Sequence, residues 1–227
     1  MEEKKGYNVL KPVMHGTRCY VSTDYVRGKP LSYWLKYHPD ISKEQLFSWI
    51  RDILRDLDYF HQSQGSPAYQ YVNPYSMIIS EELKINLLDP GGKGHEELLH
   101  MMQRKMVREH FLSPDNQFYQ KSGAAEDIYG FGKSLQYLIA SVEVVPSLSM
   151  REERKLRKII SKCLNQKSKR SYKTIREISL HFPRLKENKN RIWKSKYAFK
   201  DIAYLLSLFL LIVMNIILVI QLTATGL

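Results

Sequence analysis

Apolar positions along the chain change rhythm several times. Residues 7–10 and 18–24 are short runs rich in β-branched and aromatic side chains, which predicts two strands, and Gly28-Lys29-Pro30 after them predicts a turn. From Ser42 the period becomes helical. Leu46, Ile50, Ile53, Leu54, Leu57 and Phe60 recur every three or four residues, Ser42 and Gln45 form a capping-box pair, and Gly65-Ser66-Pro67 stops the helix. Two apolar runs, 76–79 and 84–88, flank polar Ser80-Glu81-Glu82 and predict a hairpin ending at Asp89-Pro90-Gly91-Gly92. Residues 94–111 read as helical, with Leu98, Met101, Met102 and Met106 apolar. Such a stripe either packs in a core or forms an adaptable docking surface. Helices are also predicted over about 126–140, 152–164 and 172–180.

The last apolar run is of another kind. Residues 202–222 hold 21 positions without a charge, and as a helix would extend roughly 31 Å, the thickness of a bilayer's hydrocarbon core. A buried soluble helix is the competing reading, but a domain of this size rarely encloses such a segment on all sides. The flanks set its direction. The segment Arg184 to Lys200 before it carries Arg184, Lys186, Lys189, Arg191, Lys194, Lys196 and Lys200 against one acid, Glu187, and the outer tail, 223–227, carries no charge. The expected arrangement is a single-pass protein of the cell membrane with residues 1–201 in the cytoplasm. The basic segment, interleaved with Trp193, Tyr197 and Phe199, suits anionic lipid headgroups.

Composition narrows the classes further. The chain has 227 residues, of which 44% are hydrophobic and 26% charged, so one packed domain plus an appendage is expected and wholesale disorder is not. A net charge of +12 favours acidic partners: lipid, nucleic acid or an acidic protein face. Cys19 and Cys163 are too few and too far apart for a disulfide framework or a zinc site, and the seven histidines show no metal-binding spacing. The first twelve residues have no apolar core after their charges, so they do not read as a signal peptide.

Several segments, in order, resemble the C-terminal lobe of eukaryotic-type Ser/Thr protein kinases. YVSTDYVRGKPL, from Tyr20, is similar to the strand, hinge and turn that enter that lobe. LDYFHQ, from Leu57, is similar to the end of its long helix, and YQYVNPYSMII, from Tyr69, falls where the catalytic loop belongs with Pro74 in register. INLLDPG, from Ile85, falls at the metal-binding Asp-Phe-Gly, and FLSPD, from Phe111, resembles the close of the activation segment. EDIYGFGKSLQYL, from Glu126, is similar to the buried central helix, and KCLNQKSKRSYKTIREI, from Lys162, tracks the later helices. The resemblance covers about 160 residues. It implies an α+β, mainly helical fold: residues 1–31 as a remnant of N-lobe strands and hinge, 32–183 as the kinase-like lobe, 184–201 as a basic juxtamembrane segment and 202–222 as the transmembrane helix.

It also implies what is missing. Phosphoryl transfer needs a cover and a lysine clamp for the triphosphate. About 19 residues precede Tyr20; they contain Gly6 and Gly16 but no Gly-rich loop, and nothing places Lys4, Lys5 or Lys11 on the required strand. In register with Pro74, the His-Arg-Asp triplet reads Tyr69-Gln70-Tyr71, the catalytic lysine reads Asn73 and the metal-binding asparagine reads Ser76. A tyrosine of pKa about 10 cannot replace the aspartate that orients the acceptor hydroxyl. No catalytic residue and no ATP or magnesium cofactor is therefore expected. Asp89 is the one vestigial candidate for a cofactor contact, against the plainer reading of a turn residue capping nearby amides. The aromatic cluster Tyr69, Tyr71, Tyr75 is expected to fill the nucleotide pocket with rings.

Structural roles are implied for Asp127, which holds the catalytic-loop backbone in the family, and for an Asp115–Arg170 ion pair, although the register puts Ser171 at the family's arginine. The surface around Val21, Tyr25, Tyr71, Ile78 and Leu88 is expected to be open because most of the N-lobe is absent. The function implied is a membrane-anchored pseudokinase, similar at fold level to small bacterial kinase-like membrane proteins, including the cytoplasmic part of type VII secretion components. It would act as a scaffold or regulatory subunit with a protein partner or a second copy of itself. The alternatives are a divergent active kinase using ATP and a basic membrane-proximal nucleic-acid binder; lipid rather than nucleic acid is the expected partner.

Overall fold

Two long strands begin the chain. β1 (Gly6–His15) and β2 (Arg18–Pro30) pair antiparallel from Gly6↔Arg27 to His15↔Arg18, joined by a tight turn in which Gly16 takes φ +61°. The computed structural model describes residues 5–63, 68–114, 123–165 and 167–183. Asp115, the basic positions from Arg184 to Lys200, the apolar run 202–222 and the tail 223–227 lie outside them. Among the described residues no helix is long and apolar enough to cross a membrane.

Gly28-Lys29-Pro30 is not a turn. These residues are the end of β2 and pair with β4 (Met77–Ser80), Gly28 opposite Ser80 and Pro30 opposite Ile78. Proline is tolerated there because it stands at the strand's end, and a side chain at Gly28 would meet the Ile79 carbonyl at 2.2 Å. Turn propensity in the sequence lost to strand pairing.

The short helix α1 (Leu31–Trp34) and strand β3 (Asp40–Ser42) lead to α2 (Lys43–Ser63). The Gln45 amide donates to Ser42 Oγ at 3.0 Å, so half of the expected capping box forms. The Gln45 side chain instead joins Trp49 Nε1 in donating to the Leu83 carbonyl, at 2.8 and 2.6 Å. That pins α2 to the turn between β4 and β5 (Ile85–Leu87). The sheet order is β1-β2-β4-β5, all antiparallel, and a bridge from Val9 to Leu88 curls its ends together.

The segment 94–111 is two helices, α3 (Glu96–Gln103) and α4 (Lys105–Phe111), broken at Arg104, whose ψ of 138° is extended. The break divides the methionine stripe. Leu98 and Met102 are buried with Tyr7, Val9, Ile78 and Leu88, whereas Met106 is 84% exposed. This corrects the expected open surface, since Ile78 and Leu88 are fully buried under β1 and α3. Tyr25 is exposed, as expected.

The remaining elements are α5 (Ala124–Ser141), β6 (Glu143–Val145), parallel to β3, α6 (Met150–Leu164) and α7 (Ile175–His181). α6 starts two residues before the expected Glu152, because Ser149 and Glu152 form a complete capping box. The fold is α+β, a curled antiparallel sheet beside helices, and residues Met1–Pro183 make one compact unit. Its core runs along α2 (Phe47, Trp49, Ile50, Leu57) into Phe131 and Leu135 of α5 and Ile175 and Ile178 of α7.

α5 approaches its neighbours through glycines. A Cβ at Gly132 would stand 2.6 Å from Cys163 Cβ on α6, an atom fixed to the backbone. Ala is the better helix former by about 1 kcal/mol, but overpacking such a contact costs about 1–3 kcal/mol. Gly132→Ala should therefore destabilise the protein, measured as a lower urea midpoint.

Candidate functional site

The loop between α2 and β4 is where the sequence concentrates its candidate chemistry, and one buried carboxylate organises it. Asp127, in the first turn of α5, is 1% exposed. Its Oδ2 accepts from the Tyr69 amide at 2.5 Å and from His61 Nε2–H at 2.7 Å, and its Oδ1 accepts from the Gln70 amide at 2.8 Å. Burying a carboxylate is costly unless donors surround it, and these three supply that compensation. Gln70 adopts φ +68°, which a non-glycine residue takes only when its surroundings enforce it. The charge-assisted hydrogen bond from its amide offsets that strain.

The rest of the loop bonds to itself. Asn73 Oδ1 accepts from the Tyr75 and Ser76 amides at 2.9 and 3.2 Å, and its Nδ2 donates to the Tyr71 carbonyl at 3.1 Å. Ser76 Oγ donates to the carbonyls of Tyr71 and Asn73. Behind it, Ser134 Oγ donates to the Val72 carbonyl at 3.2 Å, and a Cβ at Gly130 would stand 2.8 Å from that same oxygen. The loop thus lies directly on the α5 backbone.

Tyr69 points inward. Its ring packs edge-on against Phe60 and Tyr71, and its hydroxyl donates to the Leu88 carbonyl at 2.5 Å. Burial, with the Asp127 and Asp89 carboxylates nearby, pushes its phenol well above the usual range, so it stays protonated. Tyr71 is half-buried and packs against the cluster under β1. Chemically the loop offers the Ser76 hydroxyl and the Asn73 amide, both engaged with its own backbone, and the aromatic faces of its tyrosines; it presents no carboxylate of its own.

Asp89 follows β5. Its Oδ2 accepts from Thr23 Oγ1 at 2.5 Å and its Oδ1 from the Gly91 amide at 3.0 Å, while its own amide donates to the Asn8 carbonyl at 2.8 Å. That is the geometry of an aspartate capping a turn and tying β2 and β1 to it. Among the described residues no group of three His, Cys, Asp or Glu could hold a metal ion. Arg170 lies exposed between α6 and α7, its amide donating to Ser168 Oγ at 3.1 Å; its expected partner Asp115 is outside the described residues. The structure brings Tyr69, Gln70 and Asp127 together, with Asn73 and Ser76 completing the loop, and sets Asp89 at its far edge.

Two features went unread in the sequence. His61 was legible only as the end of an apolar helix, although a polar residue on a buried face signals a specific partner. The second is Asp56, on the same helix, 5% exposed. It lines a cleft of about 370 Å³ between β1, β2, α2 and the β4–β5 hairpin, together with Lys11, Asp24, Tyr59 and Lys84. Arg55 Nε donates to Asp56 at 3.0 Å and its Nη1 to Asp52 at 2.7 Å, and Lys11 pairs with Asp24 at 2.6 Å, so Lys11, Asp24, Arg55 and Asp56 of the wall are engaged in ion pairs.

No family model matches the chain, and no curated protein matches it.

Two variants test the site. Asp127→Asn leaves one of two buried amides without an acceptor, a loss of about 2–3 kcal/mol in unfolding free energy by urea titration. Asp56 behaves oppositely. Burial raises its carboxyl from 3.8 to about 6, with Arg55 pulling the other way. The folded protein therefore holds this proton more tightly than the unfolded chain. The stability it confers is full below the unfolded value and is lost as pH rises from about 4 through about 6. At neutral pH the ionised group costs the fold about 3 kcal/mol. Asp56→Asn should raise stability at pH 7 by about 1–3 kcal/mol and flatten the pH dependence of Tm between about pH 4 and 6. The half-exposed Arg55 pair that it removes is worth less than this.

Proposed function

We propose that this chain is a membrane-anchored, kinase-like lobe that binds rather than phosphorylates, serving as a scaffold or regulatory subunit at the cytoplasmic face of a membrane. The observation that carries the reading is the loop held by Asp127. A carboxylate at the start of a buried helix grips two successive loop amides, an arrangement needed for the loop's shape and independent of catalysis. At the positions where the kinase resemblance expects the catalytic aspartate, lysine and metal-binding asparagine, Tyr71, Asn73 and Ser76 satisfy one another and the loop backbone. The buried Tyr69 and half-buried Tyr71 rings support a pocket filled by side chains in place of a nucleotide. The uncharged run 202–222 and the seven cations before it support the anchor and its direction.

A ligand that binds only the folded state raises Tm. With ATP and magnesium we expect no change in Tm and no phosphate transfer. A reproducible rise that Asp89→Ala abolishes would refute the reading and restore the divergent-kinase alternative. Reporter fusions should place the N-terminus in the cytoplasm; an external N-terminus would remove the cytoplasmic scaffold.

A further inference from the structure

The basic excess of the chain is confined to one region. Residues 1–149 carry 17 Lys or Arg against 18 Asp or Glu, a net of −1. Residues 150–183 carry 11 against 3, a net of +8. Most of that charge is on α6 and the loop after it.

α6 sorts its side chains sharply. Leu156, Ile159 and Cys163 are buried against the lobe. Its six cations, Arg151, Arg154, Lys155, Arg157, Lys158 and Lys162, fall within an arc of about 160° at 100° per residue. Glu152 and Glu153 fall outside that arc, where Glu152 serves the cap and meets Lys43 at 3.3 Å. Arg157 pairs with Glu153 at 3.1 Å. Among the described residues, Arg151, Lys155 and Lys158 have no carboxylate within ion-pairing distance, and all three are exposed. Lys162 Nζ sits 4.9 Å over the Tyr172 ring and joins this face to the loop carrying Lys169, Arg170 and Lys173.

We infer that the exposed face of α6, with the loop that follows it, is a contact for anionic lipid headgroups, so that the lobe rests on the bilayer by this side. The inference rests on the anchoring reading, since the segment beyond Pro183 adds seven cations and then the uncharged run. Eighteen residues separate Pro183 from Ile202, a tether of at most about 65 Å, so an anchored lobe stays within reach of the surface. Each cation near an anionic leaflet adds to its attraction, and clusters of this size suffice for binding. The apolar side of α6 is consumed by the core, so the contact is electrostatic, without insertion, and weakens with salt.

The test uses the full chain reconstituted in vesicles of phosphatidylcholine, with or without phosphatidylserine. A fluorophore is placed by Ser161→Cys, within the cationic arc, or by Tyr37→Cys, exposed on the α1 side, in a Cys19→Ser background. Quenching by headgroup spin-labelled lipid reads proximity. At position 161 it should rise severalfold on adding phosphatidylserine, fall with salt, and vanish in the triple variant Arg151→Glu, Lys155→Glu, Lys158→Glu, with position 37 unresponsive. Among the described residues these three side chains hold no ion-pair or hydrogen-bond partner, so an unchanged Tm checks that the triple variant is intact. Equal quenching at the two positions, or quenching at 161 that survives the triple variant, overturns the inference. So does salt-sensitive retention of RNA without any response to phosphatidylserine. If alkaline carbonate strips the chain from the vesicles, the anchoring reading fails separately. The α6 face is then decided by flotation with phosphatidylserine vesicles, lost in the triple variant if the inference holds and unchanged or absent throughout if it does not.

Discussion

A carboxylate with almost no access to water must be surrounded by donors, and the fold is arranged to give Asp127 three. His61 comes from the last turn of α2, the Tyr69 and Gln70 amides come from the loop, and the aspartate itself comes from the first turn of α5. Two helices and the loop between α2 and β4 therefore share one electrostatic fixed point. The loop's path follows from it. With Gln70 forced into a left-handed conformation, the chain reverses and brings Tyr69 under Leu88, Asn73 under Tyr75 and Val72 against Gly130. None of these contacts needs a substrate. A site of this kind keeps its geometry when the side chains that would do chemistry are replaced.

Much of the architecture was legible because burial follows periodicity. The apolar positions of α2 recur at helical spacing and are buried, and the β4–β5 hairpin is bounded by its polar turn. Misreadings have local causes. Gly28-Lys29-Pro30 has turn chemistry, but Ile78 and Ile79 offered it a neighbouring strand. The segment 94–111 is continuous in pattern, yet the extended Arg104 splits it, and only packing against Tyr7 and Val9 decides which methionines are covered. α6 starts at Met150 because Ser149 and Glu152 form a capping box, a signal that apolar periodicity alone does not carry. The role of Asp127 was accessible only through resemblance, since a single aspartate at a helix start carries no periodic signal. Asp56 was hidden for the opposite reason: its neighbours Asp52, Arg55 and Asp58 read as an ordinary solvated face.

Charge and chemistry occupy different parts of the molecule. The loop region is nearly neutral and internally satisfied, whereas the cations gather on α6 and continue beyond Pro183. A protein that bound a polyphosphate in the loop would be expected to place its free cations there. Arg151, Lys155 and Lys158, without a carboxylate partner among the described residues, lie on a helix whose other side is committed to the core, which suits a broad anionic surface better than a small ligand.

The β1–β2 ribbon has a mechanical consequence. Near Gly28 it belongs to the four-stranded sheet, but its turn end extends past the sheet with Val13, Met14 and Tyr20 exposed, touching α2 where Cys19 Sγ lies 3.6 Å from the Tyr59 carbonyl. A two-stranded ribbon without a third strand or a packed face has little stability of its own. Its amides should exchange with solvent far faster than those of β4 and β5, on a path that leaves the core closed. The tip is in effect a short arm on a rigid body, steadied near Cys19 by α2 and able to fray beyond that point while the core stays closed.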